Sequence, residues 1–173
     1  MQSSQIKIPK ERVSVLIGKK GFTKKQIESK THTRLKIDSK EGNVIISGSG
    51  SLDVYGTTNV VSAIARGFNP RIALLLIKEN YVFEIIDIRE FSGKSKERQI
   101  RIKSRVIGTK GKARRIIEEI TNTHICVYGK TVGVIGDVER VFVARRAVEM
   151  LLSGSKHSSV FSWLEKQHDK SMF

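Results

Sequence analysis

The chain has 173 residues, of which 39% are hydrophobic and 28% are charged, a composition that is typical of a folded protein and excludes a disordered one. The 32 lysines and arginines outnumber the 17 aspartates and glutamates and leave a formal net charge of +15, which favours a polyanionic partner such as nucleic acid. The longest aliphatic run is too short for a membrane span, the N-terminus has no apolar signal segment, and the single Cys126 excludes an internal disulfide and a multi-cysteine zinc site. We therefore expect a soluble, cytoplasmic protein with no cofactor, no bound metal and no membrane partner.

The first half of the chain predicts a regular succession of elements. A short strand at 5–8 precedes a brief helix that runs into Gly-Lys-Lys-Gly at 18–21, and a second helix follows in which Ile27 is the main apolar residue. Two strands and an amphipathic helix complete the half, at 35–37, at 44–48 and at about 53–66. The order is β-α-α-β-β-α, which indicates an α+β fold with helices on one face of a small antiparallel sheet.

The second half repeats the first. The segment Arg-Val-Ile-Gly-Thr-Lys-Gly at 105–111 matches Val-Leu-Ile-Gly-Lys-Lys-Gly at 15–21, and the match continues without a gap through the next helix and strand. The predicted elements are a strand at 83–88, helices on both sides of the second glycine motif, strands at 125–127 and 132–136, and a helix at about 138–152 with Gly154 as its C-cap. Aligning Asp53 with Asp137 leaves 49–52 as extra loop residues in the first copy.

Two domains and a connecting helix account for this pattern. We place the first domain at 1–67 and the second at 81–155, with a C-terminal tail at 156–173 whose charged end, from 163 on, is expected to fray. Pro70 is a favourable first residue of a helix, and the aliphatic residues after it predict a connecting helix at 68–80 that is buried between the halves. The stretch at 92–98 is predicted to be a solvated basic loop.

The two Gly-x-x-Gly motifs carry the candidate chemistry. Glycine permits a tight turn and lets a ligand approach the backbone without a Cβ in the way, and the helix after each motif directs its free N–H groups and positive dipole end toward that ligand. Lysines inside both motifs add cationic side chains, which suits a sugar-phosphate backbone. A simple glycine-capped turn is the alternative, and the occurrence of lysine in both copies argues against it.

These residues and their context resemble type I KH domains, in which a Gly-x-x-Gly loop clamps about four nucleotides of single-stranded nucleic acid against a hydrophobic groove. The resemblance implies two clamps, formed by Gly18, Lys19, Lys20 and Gly21 and by Gly108, Thr109, Lys110 and Gly111. It also implies a groove whose candidate lining residues are Ile27, Leu35, Ile37, Ile117, Ile125 and Val127, some of which must belong to the core instead. Lys112, Arg114 and Arg115 follow the second clamp and are expected to help hold phosphate.

The resemblance extends over nearly the whole chain. Together with the tandem clamps, the segments 69–77, 84–89, 124–131 and 151–157 are similar to the archaeal KH-domain factors of small-subunit ribosome assembly and rRNA processing, whose eukaryotic relative partners the endonuclease that matures the 3′ end of small-subunit rRNA. This implies a non-enzymatic protein that binds single-stranded RNA, in particular the 3′ region of that rRNA, with the endonuclease and an initiation factor as further partners. The eukaryotic relatives tend to lose the first Gly-x-x-Gly, whereas both are intact here.

Two alternatives stay open at this point. One is an RNA-processing nuclease that uses the KH modules for docking, although the acidic residues form no cluster of the kind a metal-dependent nuclease needs. The other is an RNA-binding adaptor linked to translation initiation. His157 is expected to be a solvated residue at a helix end, Cys126 a core residue, and Arg145 and Arg146 part of a solvated helix face.

Overall fold

The computed structural model describes residues 1–172 and divides the chain into two compact units, Met1–Glu79 and a second that begins at Asn80. Each unit contains a three-stranded antiparallel sheet, in the order β1-β3-β2 in the first and β4-β6-β5 in the second. The predicted α+β class and the two β-α-α-β-β-α units are confirmed. No helix formed by residues 1–172 is both long and apolar enough to cross a membrane.

The first unit buries one face of its sheet beneath helices. On the central strand, Val44 and Ile46 are fully buried, whereas Ile45 between them is exposed, as the alternation of a half-buried strand requires. The elements of the unit up to its last long helix are β1 (Gln2–Lys7), α1 (Lys10–Ile17), a 3-10 turn (Lys19–Gly21), α2 (Phe22–Thr31), β2 (Thr33–Asp38), β3 (Asn43–Gly48) and α3 (Ser51–Ala65).

The second unit repeats this arrangement and adds to it. Its elements are β4 (Tyr81–Asp87), α5 (Arg89–Ser92), α6 (Lys96–Ile107), a 3-10 turn (Thr109–Gly111), α7 (Lys112–Thr121), β5 (His124–Tyr128), β6 (Thr131–Asp137), α8 (Val138–Leu152) and α9 (His157–Ser171). Helix α6 begins inside the stretch predicted as a basic loop, because the Ser95 side chain caps it by accepting a hydrogen bond from the Arg98 N–H at 3.3 Å.

The same turn ends α2 and α7 in the two units. A residue with positive φ, His32 or Asn122, ends the helix, and the threonines on either side of it share a hydrogen bond of 2.7 Å (Thr31–Thr33) or 2.8 Å (Thr121–Thr123). A pair of threonines at equivalent positions thus stabilises the same helix-to-strand turn in both units. The repeated Thr-x-Thr of the sequence is a structural element of each unit.

The alignment of the last helices differs from the sequence-based one. Helix α3 starts at Ser51, so the residues predicted as extra loop are partly helical. The buried positions of the two helices coincide when Val54 is matched with Val141 and Ile64 with Leu151, which shifts the alignment by about one turn from the match of Asp53 with Asp137. The two aspartates are not structurally equivalent, because Asp137 is the N-cap of α8 whereas Asp53 lies within the first turn of α3.

The segment predicted as a connecting helix is shorter and packs within the first unit. Asn69 caps the one-turn helix α4 (Pro70–Ala73) by accepting a hydrogen bond from the Arg71 N–H at 2.9 Å, and a 3-10 turn (Leu74–Ile77) follows. Both pieces contact α3, and the aliphatic side chains Ala73, Leu74 and Leu76 are buried. The aliphatic residues of this segment are therefore explained by its packing on α3 within the first unit.

The prediction that the C-terminal tail frays is wrong. Residues His157–Ser171 form helix α9, and Val160 and Leu164, one turn apart, are fully buried against the core of the second unit. Helix α9 packs on α7 and α8. The sequence explains why only this unit has the extra helix: where α7 presents Ile116 and Ile120, α2 has Gln26 and Lys30. Phe173 lies outside the described residues.

Arg145 is also placed differently from the prediction of a solvated face. Its guanidinium pairs with Glu149 at 3.0 Å on the same helix and with Glu84 on β4. The hydrogen bond with Glu149 is the main cause that raises the pKa of Arg145 above its usual value, and the charge of Glu84 adds to it. Arg145 therefore joins α8 to the sheet, whereas its neighbour Arg146 is exposed.

Candidate nucleic-acid interface

The two Gly-x-x-Gly loops have the same backbone conformation. The first glycine has φ 73° and ψ 174° in Gly18 and φ 74° and ψ 175° in Gly108. The third residue is a lysine with positive φ, 53° in Lys20 and 54° in Lys110. The last glycine, with φ 75° in both Gly21 and Gly111, leads directly into α2 or α7. The sequence repeat is therefore a repeat of loop geometry.

The two glycines of each loop are needed for different reasons. A Cβ on Gly18 would lie 2.3 Å from Thr23 Oγ1, and a Cβ on Gly108 would lie 2.7 Å from the Cβ of Ala113, so the first glycine lets the loop pack closely on the following helix. A Cβ on Gly21 would meet nothing within 4 Å. The last glycine thus supplies a left-handed backbone conformation on an open surface, where a ligand can approach the main chain.

Exposed cationic groups surround these open backbones. Lys19 and Lys20 of the first loop and Thr109 and Lys110 of the second are exposed. No side chain caps the N-termini of α2 and α7, so the positive dipole end of each helix adds to the charge of the lysines beside it. A phosphate oxygen is the ligand that such a surface suits.

The second loop is braced by the basic residues that follow it. Arg115 donates a hydrogen bond from its guanidinium to the Lys110 carbonyl oxygen at 2.9 Å. Arg114 lies 3.6 Å from Glu118 and donates to the Ile125 carbonyl oxygen at 3.3 Å, while the Glu118 carboxylate accepts the Ile125 N–H at 2.8 Å. These contacts tie the loop and α7 to strand β5. Lys112, the first residue of α7, is exposed.

The first loop differs at the same positions. Where α7 begins with Lys112, α2 begins with Phe22, which is 66% exposed. Lys24 and Lys25 stand where the second loop has Arg114 and Arg115. The first loop therefore has lysines in place of the arginines that brace the second, and a large apolar ring beside them.

Burial sorts the six candidate groove residues. Ile27 and Ile117 are fully buried, and Leu35 and Ile125 are nearly so, with 3% and 2% exposed. These four side chains therefore belong to the two cores. Ile37 and Val127, at the ends of β2 and β5, are half-buried and are the two candidates with accessible surface.

A cleft that the sequence gave no reason to expect lies beside the second loop. It has a volume of ≈ 400 Å³ and is lined by Gly108, Thr109 and Lys112 on one side and by His157 and Phe161 of α9 on the other. His157 is half-buried rather than solvated, and its Nε2 lies 2.8 Å from the Arg105 carbonyl oxygen. Sequence reasoning missed the cleft because it depends on α9.

Within residues 1–172, no group of three or more histidine, cysteine, aspartate or glutamate side chains is placed to hold a metal ion. Cys126, on β5, is half-buried.

Comparison with known proteins gives matches over both units. Residues 82–169 match the eukaryotic-type KH domain (KH-domain type I), and residues 3–66 match the KH domain. A KH domain-containing protein of Methanocaldococcus jannaschii is 46% identical over 170 residues, which are 95% of this chain and 74% of that protein. The pre-rRNA-processing protein PNO1 of Chaetomium thermophilum is 28% identical over 171 residues, which are 94% of this chain and 64% of that protein. The chain thus spans less than two thirds of this eukaryotic relative.

Solved structures show the same similarity. Dim2p from Pyrococcus horikoshii has a TM-score of 0.89 and 42% identity, over 96% of this chain and 99% of that one. The aDim2p structure in the a/eIF2alpha-aDim2p-rRNA complex from the same organism has a TM-score of 0.90 and 41% identity, over 98% and 95% of the two chains.

Proposed function

Because this chain belongs to the type I KH-domain family, we propose that it is a single-stranded RNA-binding protein that acts in small-subunit ribosome assembly and in rRNA 3′-end processing. The observation that carries the proposal is the pair of lysine-bearing Gly-x-x-Gly loops with one backbone geometry. The similarity to PNO1, which is named as a pre-rRNA-processing protein, and to aDim2p, which was crystallised with rRNA, supports it.

Each loop would act as a clamp on the RNA backbone. Phosphate oxygens would accept hydrogen bonds from the open main chain at the start of α2 or α7, and the exposed lysines would neutralise their charge. The bases would then lie toward the half-buried ends of β2 and β5, near Ile37 and Val127. The residues that we propose to contact RNA are Gly18, Lys19, Lys20, Gly21, Gly108, Thr109, Lys110, Gly111, Lys112 and Val127.

Arg114 and Arg115 have a positioning role in this proposal. Their guanidinium groups already donate to the carbonyl oxygens of Ile125 and Lys110, so they hold the second clamp in shape and add positive charge beside it. A loop that is held in its binding conformation loses less entropy when the ligand binds. We therefore propose that the second clamp binds RNA more tightly than the first.

We further propose that the protein has no catalytic activity and presents the 3′ region of small-subunit rRNA to a processing endonuclease in the cytoplasm. An initiation factor is a further proposed partner, in keeping with the a/eIF2alpha of the P. horikoshii complex. The rival proposal is a nuclease that docks through its KH domains. Incubating the purified protein with labelled precursor rRNA and magnesium separates the two, because cleavage would support the nuclease.

The protein is expected to prefer single-stranded RNA to a duplex of the same sequence. A KH groove reads the edges of unstacked bases, and these are not available in a perfect duplex. Competition between a labelled single strand and unlabelled duplex, at fixed salt concentration, measures the preference. Equal competition by the duplex would contradict the proposed mode of binding.

RNA affinity is expected to fall steeply with salt. Each phosphate neutralised on a single strand contributes a slope of about −0.7 to the plot of log K against log salt concentration, so a contact with about four phosphates predicts a slope of about −3 and roughly a 50-fold loss of affinity between 50 and 200 mM salt. Fluorescence anisotropy over this range measures the slope. A flat response would mean that the net charge of +15 does not serve RNA binding.

A further inference from the structure

The cleft beside the second clamp shares part of its wall with the clamp itself. Gly108, Thr109 and Lys112 line the cleft on the side of the clamp, and His157 and Phe161 of α9 line the opposite side. Where the second unit has the 15-residue helix α9, the first has only the one-turn helix α4 and a 3-10 turn. Among the described residues, the α9 wall of the cleft therefore belongs to the second unit alone.

The α9 side of the cleft is an aromatic wall held in a fixed orientation. The rings of His157 and Phe161 have their centroids 6.0 Å apart and are tilted by 54°. His157 Nε2 donates to the Arg105 carbonyl oxygen at 2.8 Å, because a carbonyl can only accept. Arg105 is held in turn by its own hydrogen bonds to the carbonyl oxygens of Leu151, at 3.1 Å, and Ser155. A rigid aromatic surface of this kind is what a nucleic-acid base stacks on.

The charge of the cleft favours the same ligand. The cationic Arg105 and Lys112 line it, and none of the described residues that line it is acidic. The exposed Thr109 hydroxyl and Lys112 ammonium stand on the side of the clamp, so the cleft offers cationic and hydroxyl groups on one wall and aromatic rings on the other. A nucleotide, with an anionic phosphate and a flat base, matches both walls.

We propose that this cleft binds one additional nucleotide of the RNA strand that lies across the second clamp, with the base against Phe161 and His157 and the phosphate at Thr109 and Lys112. This proposal rests on the proposed RNA-binding function. The occupant is assigned to the same strand because Gly108 and Thr109 belong to both the clamp and the cleft. The second clamp would thus hold a longer stretch of RNA than the first.

The test uses the full chain with the first clamp disabled by Lys19→Asp and Lys20→Asp, so that the measured RNA affinity is that of the second clamp. The probes are a fluorescent eight-nucleotide RNA with the sequence of the 3′ end of small-subunit rRNA and eight copies of it, each with one abasic nucleotide. In this background one abasic position outside the clamped tetranucleotide is expected to lower affinity about tenfold. Adding Phe161→Leu is expected to lower affinity for the intact RNA about tenfold and to remove the effect of that abasic position.

The matched control is Phe142→Leu, the same change at an exposed ring of the second unit that does not line the cleft, and it is expected to bind every probe as its parent does. If Phe161→Leu lowers the melting temperature strongly, His157→Gln is used in its place, because a glutamine amide can still donate to the Arg105 carbonyl oxygen but has no ring. Unchanged binding of every probe by a folded Phe161→Leu or His157→Gln chain would overturn the cleft proposal and leave the clamp intact. Failure of the unmodified chain to bind the intact RNA would overturn the proposed function as well.

Discussion

Replacing Thr109 and Lys110 by aspartate is expected to lower RNA affinity about 100-fold or more while the protein stays folded. The change puts two carboxylates where a phosphate is proposed to lie, so repulsion replaces a charge-assisted contact. Both side chains are exposed, and changes at such positions typically alter stability by about 0.5 kcal/mol or less. Position 110 has φ 54°, and aspartate is among the residues that tolerate this conformation.

Anisotropy titration with single-stranded RNA measures the loss, and circular dichroism checks the fold. The matched control is Ser162→Asp with Lys166→Asp, which makes the same change in net charge on exposed positions of α9 outside the clamp, and it is expected to cost much less affinity. The corresponding change in the first clamp, Lys19→Asp with Lys20→Asp, is expected to be intermediate. A first-clamp variant that is the more damaging of the two would reverse our ranking of the domains and leave the KH mechanism standing.

Gly108→Ala is expected to lower the free energy of unfolding of the second unit by about 3 kcal/mol or more. With φ 74° and ψ 175°, Gly108 occupies a region of backbone conformation that is essentially restricted to glycine, and strain there costs about 1–3 kcal/mol. The added Cβ would also lie 2.7 Å from both the backbone nitrogen and the Cβ of Ala113, so either the loop or the start of α7 must move. RNA binding by the second clamp is expected to be lost with the loop geometry.

The matched control for this change is Gly111→Ala, three residues away. Its Cβ would meet only the end of the Arg114 side chain, at 3.8 Å, and its φ of 75° and ψ of 14° are left-handed helical, where alanine costs about 1–2 kcal/mol. Urea denaturation of both variants, followed by circular dichroism, compares the two losses. A loss for Gly108→Ala no larger than that for Gly111→Ala would show that the first glycine is not required for close packing.

Much of the fold was predictable because it depends on local patterns that occur twice. The helix Val138–Leu152 has the predicted bounds, and both Gly-x-x-Gly loops, both Thr-x-Thr turns and the order of strands and helices follow from residues that are close in sequence. The KH family is confirmed by the matches at 3–66 and 82–169. The boundaries placed at 67, 80 and 155 stay predictions.

What could not be predicted depends on contacts between residues that are distant in sequence. Helix α9 is held by Val160 and Leu164, with Phe161 and Trp163 partly buried beside them. The burial of these side chains depends on the packing of α9 against α7 and α8. Four of the six candidate groove residues are core, because a run such as Ile125 to Val127 does not reveal how much of each side chain the neighbouring helix covers. The cleft could not be predicted either, because its walls come from α9 and from the second Gly-x-x-Gly loop, which are distant in sequence.

The lysines in the left-handed conformation have a consequence for how this chain tolerates change. Lys20 and Lys110 have φ values of 53° and 54°, where a residue with a Cβ is less stable by about 1–2 kcal/mol than in its preferred conformation, and glycine would relieve that strain. A search for heat-resistant variants scored on melting temperature alone would therefore favour glycine at both positions, and each such gain would remove a cation from a clamp. Stability and the proposed RNA binding thus place opposite demands on these two residues, so engineering that aims to keep RNA binding should leave both lysines unchanged.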